Sequence, residues 1–315
     1  MNRAPLISLA SSPISRASAC LVVLTALAFA QSSPSSPDTL TAYKSPVELV
    51  RKAAHHEIEA SEGSAVHFMY RGVTTSSKGG SVSKLYVETK DGTASLTVAQ
   101  DGKPLTPDQQ QAEQARLDRF VNHPDELRKK RNQDREDNDR TARIMRALPD
   151  AFFYEYAGEE KGSAGIGRAG DPLVNLRFRP NPSYHPPSRV EEVLTGMQGH
   201  ILVDTVHDRI ASIDGTLFKD VGFGWGILGR LNRGGHFLVH QVDVGDDQWE
   251  ISSMTVNFTG KIMLIKNFSI QSTEEYSGFR QISPSLTFAE GVRLLKKEET
   301  TAAEVPATTS SLAQR

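Results

Sequence analysis

Histidines and carboxylates are the residues with which chemistry could begin. His56-Glu57 opens the pattern H-E-x-x-H, where two histidines one helical turn apart hold zinc and the glutamate serves as base. Position 60 is Ala60, so the second ligand is missing. His236 and His240 repeat the four-residue spacing, but on a segment that reads as a strand. At about 3.3 Å per residue they stand ~13 Å apart, too far to share one ion. His200, Asp204, His207 and Asp208 crowd a hairpin. A weak metal site, and with it a metal-assisted hydrolase, is conceivable there, although a polar turn accounts for the same residues. Glu159-Glu160 and Glu191-Glu192 are adjacent pairs, whose side chains point to opposite faces of a strand. No G-x-S-x-G elbow occurs. The expectation is a protein without catalytic residues, metal ligands or cofactor.

The run GFGWGILGRLNRGG, residues 222 to 235, places Gly224, Gly226 and Gly229 on the spacing G-x-G-x-x-G. A dinucleotide fingerprint needs a helix to begin within it, so that free N–H groups meet the pyrophosphate. Here Gly234-Gly235 intervenes within two turns and the strand-like HFLVHQVDV follows. The glycines are better read as letting Phe223, Trp225 and Ile227 project from a bent strand or bulge.

Which elements must position these residues? Arg3 and Arg16 precede or flank an acid-free apolar run ending in Ala28-Phe29-Ala30. Residues 1–30 therefore read as a secretory signal peptide cleaved before Gln31, and the expected location is periplasmic or secreted. The run is too short to span a bilayer, which takes about 20 apolar residues. The lone Cys20 lies inside it, so the mature chain has no disulfide and no thiolate chemistry. Removing two of 36 basic residues and none of 38 acidic ones makes the balance more negative, which argues against nucleic acid as a partner.

Residues 31–44 form a Ser/Pro linker. Ser45-Pro46-Val47-Glu48 is a capping box that starts a helix to about Ala60. Strands are expected over 66–71, 82–88 and 94–99, the last two joined by the turn Asp91-Gly92. Thr106-Pro107-Asp108-Gln109 caps another helix, and Pro124 starts a third that Pro149 should stop. Its stretch Glu126 to Arg143 mixes charges of both signs with almost no apolar residue, as on a solvated helical face or a projecting hairpin. From Phe152 the chain reads as strands: 152–156, 173–179, 200–204, 210–218, 236–244, 249–258 and 262–271. Their short turns require antiparallel neighbours. A helix over 284–296 and a disordered tail from 299 close the chain. In this reading residues 45–298 make one domain, with the helices 106–148 as an insertion.

GHILVDTVHDRIASIDGTLF (199–218) resembles the hairpin G-x-[apolar]-x-[apolar]-D … I-x-x-I-x-G of exported bacterial proteins related to outer-membrane lipoprotein carriers. VGFGWGILGRLNRGGHF (221–237) and YSGFR (276–280) are similar to stretches of uncharacterised exported proteins of that kind. The resemblance covers about residues 150 to 280. It implies a half-barrel, a strongly curved antiparallel sheet with helices on its concave side, whose hollow takes acyl chains in the carriers.

The fold class expected is thus α+β, a curved antiparallel half-barrel with packed helices and a charged helical hairpin. The function expected is a non-catalytic exported binding protein with an apolar cleft for lipid or an acylated partner. Phe223, Trp225, Ile227, Met263 and Ile265 are the residues chosen to line it, with Leu264 and Phe268 as the alternate face. The competing reading is an envelope scaffold that binds a protein partner through helices 106–148.

Overall fold

A computed structural model describes residues 45–63, 66–223, 229–262 and 266–304. The expected signal peptide and the Ser/Pro linker lie outside them, as do residues 305–315. The chain is α+β, built on one large, open antiparallel sheet. Its strands are β1 (His67–Ser76), β2 (Gly80–Val87), β3 (Ala94–Gln100), β4 (Lys103–Pro104), β5 (Phe152–Lys161), β6 (Pro172–Pro180), β7 (Met197–Asp204), β8 (Arg209–Leu217), β9 (Val221–Phe223), β10 (Gly229–Leu231), β11 (His236–Gly245), β12 (Gln248–Ile262) and β13 (Lys266–Ile282). The order is β4-β3-β2-β1-β13-β12-β11-β8-β7-β6-β5, with β10 paired to β12 and β9. The early strands therefore join the late ones: β1 pairs with β13 along its length. The two end strands do not meet, and the sheet fits a half-barrel.

Helices α1 (Pro46–Gly63), α2 (Pro107–Asn122), α3 (Pro124–Ala151) and α4 (Phe288–Glu304) cover both faces, but at different places. On the face called inner here, Val174, Leu176, Ile201, Val203, Ile213, Leu217 and Val239 pack against Leu49, Val50 and Ala53 of α1 and Leu148 and Ala151 of α3. On the outer face Met69, Leu85, Val87 and Leu96 pack against Leu117 of α2 and Phe288, Val292 and Leu295 of α4. Helix α3 belongs to both cores, with Leu127 in one and Ile144, Met145 and Leu148 in the other. Its 28 residues span about 42 Å, enough to reach from one to the other.

Most element types follow from the sequence pattern, and the departures have local causes. The Thr106 capping box closes in both directions with Gln109. Pro149 does not stop α3: it lies within the last turn, buried in the inner core, and the helix ends at Ala151. The last two long strands exceed expectation. β12 runs through Thr259-Gly260, where a turn was expected, and Gly260 still pairs with Phe268. The last helix is also longer, reaching Glu304 rather than residue 296. Residues 191–196 form a 3-10 helix instead of a strand, so Glu191-Glu192 is not a strand pair. Glu191 is buried and accepts a hydrogen bond from Ser188 Oγ.

Candidate functional site

Strand register decides which side chains share the inner face. Val239 stands opposite Met254, and Met254 opposite Glu274. Phe237 pairs with Val256, Phe258 with Ile270, and Gly260 with Phe268. Because Val239 lies in the core beneath α1, the whole row Phe237, Met254, Val256, Phe258, Ile270 and Phe268 faces inward. All six are only half-buried. They form an apolar strip that continues from the filled core toward β13 and β1. From Met254 to Gly260 the strip runs about 20 Å at ~3.3 Å per residue.

One end of the strip is polar and aromatic. Thr74 and Glu274 pair, as do Gly72 and Tyr276, and Tyr70 stands opposite Tyr86. The rings of Tyr70 and Tyr86 stack at 5.0 Å between centroids, and Tyr276 meets both edge-on at about 6 Å. Gly72 makes room for them, since a Cβ there would come within 2.8 Å of the Tyr86 ring and 2.9 Å of the Tyr276 ring. The Tyr276 hydroxyl donates to Glu274 at 2.6 Å. Burial holds the Tyr86 hydroxyl up at about 12, with the Glu274 charge adding to it. Tyr70 is raised as well, by burial first and then by Glu88. Nearby, burial lifts Glu250 to about 7, helped by the negative charges of Glu88 and Glu57 and opposed by Arg209. Glu88 is raised by burial and held back by the Phe68 N–H that donates to it.

Beyond the strip, at the β12–β13 tip, lies an open hollow of about 450 Å³ lined by Lys78, Asn232, Thr259, Gly260, Asn267, Phe268 and Ser269; Thr259, Asn267 and Ser269 alternate with the strip residues and so belong to the opposite face. Lys261 and Lys266 are exposed at the same tip. Of the residues chosen from sequence, Phe223 ends β9, while Trp225, Ile227, Met263 and Ile265 lie outside the described residues, as does Leu264. Their described flanks meet: Gly229 pairs with both Phe223 and Ile262. Phe268, the alternate choice, is on the inner face and lines the hollow. The strip residues Met254, Val256 and Phe258 were visible as an alternating face, but only register shows which face it is.

The glycine run holds no described helix. Gly229 begins a strand, Gly234 has φ +85° in the turn before β11, and Gly235 lies under the Phe258 ring, which a Cβ would meet at 2.3 Å.

The histidine motifs separate. Glu57, from the incomplete zinc pattern, is bound up in structure: its Oε1 accepts from Arg209 Nε and the Ile210 N–H, and its Oε2 from a second Arg209 nitrogen, all at 2.9 Å. His236 bonds Asp214 at 2.8 Å, and His240 sits four residues along the same strand. The hairpin group also divides. His200 turns to Asn175 at 2.8 Å and Asp208 pairs with Lys52 at 2.7 Å. Asp204 and His207 stay together and gain Asp171 from the residue just before β6, a partner that nothing in the spacing announces.

The charged stretch of α3 holds three ion pairs of its own. Lys130 meets Asp134, Arg128 meets Asp125, and Arg140 meets Asp137. No helix among the described residues is long and apolar enough to cross a membrane. No protein-family model, curated protein or solved structure matches the chain.

Proposed function

We propose that this protein is a non-catalytic binding module that takes an acyl chain along the inner face of its sheet, with the anionic head of the lipid at the lysine-bearing tip. The observation that carries this reading is the half-buried strip Phe237–Val256, Met254, Phe258–Ile270 and Phe268, continuous with the packed core yet not covered by α1 or α3. A chain laid on it would be favoured by roughly 25 cal/mol for each Å² of apolar surface removed from water. The strip is long and narrow, bounded by tyrosine and glutamate at one end, which suits one extended chain better than a flat protein surface. Lys266, exposed at the open end on the same face as Phe268 and Ile270, suits a carboxylate or phosphate head. The carrier-like hairpin at 199–218 and an N-terminal signal for export are consistent with an acylated ligand met outside the cytoplasm.

The scaffold alternative has less support, because α3 packs on both cores, through Leu127 at one end and Leu148 and Ala151 at the other, and so is part of the domain's frame. Native mass spectrometry of the secreted protein tests the proposal. Extra mass released as lipid on denaturation is the expected result, and a bare polypeptide after incubation with palmitate and with phosphatidylglycerol is the contrary one.

A further inference from the structure

The opposite end of the sheet from the lysine tip gathers three connections: the stretch leading into β6, the β7–β8 turn and the β11–β12 turn. Asp171, Asp204 and His207 bring one donor atom each to within 4.8 Å of one another there. His207 Nδ1 lies 3.2 Å from Asp204 Oδ1 and 3.5 Å from Asp171 Oδ2. Its other ring nitrogen faces Asp247 Oδ1 at 3.6 Å. Asp247 is itself fixed by Arg168, which also binds Asp243. His207 is 15 % exposed and Asp171 27 %, so the group is sheltered but reachable.

Asp204 is the decisive member. Its side chain is wholly buried, and Oδ1 accepts the N–H groups of Val206 and His207, both at 2.9 Å. Its Oδ2 is buried with no hydrogen-bond partner. A carboxylate removed from water with an empty oxygen is costly unless a positive charge lies against it. Arg209 does not serve, since its guanidinium is engaged by Glu57.

We infer that Asp171, Asp204 and His207 form a binding site for a divalent transition cation, zinc foremost. Two carboxylate oxygens and an imidazole nitrogen are a donor set for zinc, and no thiolate is needed. An ion about 2.0–2.2 Å from tetrahedral ligands sets them roughly 3.3–3.6 Å apart. His207 Nδ1 and Asp171 Oδ2, 3.5 Å apart, fall at that spacing, and the unpartnered Asp204 Oδ2 supplies the third donor. With Nδ1 turned to the cation, Nε2 faces Asp247 at 3.6 Å, beyond direct hydrogen-bond range but on the side from which a carboxylate orients a ligating ring. Three protein ligands leave a fourth position for water. The site is separate from the strip and stands whether or not an acyl chain binds.

The test is calorimetric titration of the metal-free full chain with Zn²⁺, followed by thermal melting with and without the ion. The expected result is one site per chain and a rise in Tm of several degrees. His207→Gln and Asp171→Asn should each weaken uptake tenfold or more, whereas His200→Gln, whose ring turns to Asn175, should leave it unchanged. Asp171 is the more exposed of the two, so its variant gives the reading if His207→Gln fails to fold. No uptake of Zn²⁺, uptake unaffected by both variants, or binding of Ca²⁺ in its place overturns the assignment.

Discussion

Glu57 and Arg209 meet through a bidentate pair whose side chains are only 9 and 10 % exposed, and Glu57 also takes the Ile210 N–H. This pair fastens α1 to the inner face. Breaking one partner of a buried pair leaves the other charge stranded, at a cost of about 3–5 kcal/mol. Glu57→Ala should therefore lower the urea midpoint by that equivalent without a change in m, and a loss under 1 kcal/mol would contradict the anchoring role. Glu250 gives a pH signature. Its folded pKa of about 7 is raised above the ordinary 4.5, chiefly by burial. The native state thus holds a proton that the unfolded state releases. Glu250's contribution is full below about pH 4.5 and lost as the pH rises through 7. Glu250→Gln should flatten the decline in stability over that interval and make the variant the more stable protein at pH 8. A parallel decline in both proteins would refute the assignment. Glu113 works in the other direction: burial alone would raise it, but Arg116 and the Thr97 N–H hold it at about 2.

At the scale of elements, α2 and α3 are not an appendage. Leu117 is fully buried in the outer core and Leu148 is buried in the inner one. Truncating either leaves a cavity, and Leu117→Ala or Leu148→Ala should each cost about 2–5 kcal/mol. Neutralising Arg131 and Arg135 together, on the solvated face, should change stability by less than about 0.5 kcal/mol. If chemical denaturation showed the reverse order, the helices would have to be reassigned as a surface device. The capping boxes and the alternating faces of β12 and β13 were legible because they are local: they need only the helix and strand periods. Helix ends and strand ends were less so. Pro149 stays helical because the inner core holds the turn it occupies, and β12 passes Gly260 because β13 continues to pair with it. The charged pattern of 126–143 correctly marked a solvated face, but the packing of Leu127 and the burial of Leu148 depend on contacts with residues far along the chain.

Across the whole molecule, an antiparallel sheet was implied by short turns. That β1 closes against β13, more than 180 residues away, was not, and this pairing is what makes β1 to β4 part of the same sheet. The same distance hid the sites. Asp171 joins Asp204 and His207 across two strands, and the tyrosines of β1, β2 and β13 assemble only through register. The account's central claim is that the strip on the inner face holds an acyl chain. The measurement that bears on it most directly is a palmitate titration of the protein and of the double variant Val256→Asn, Ile270→Asn, monitored by displacement of an environment-sensitive apolar dye, with circular dichroism to verify folding. Both substitutions lie on the strip, where burying an aliphatic side chain is worth about 1.5–3 kcal/mol. The account predicts saturable displacement at one chain per protein and an affinity at least tenfold weaker in the folded variant. No displacement, or equal affinity in both proteins, would contradict it.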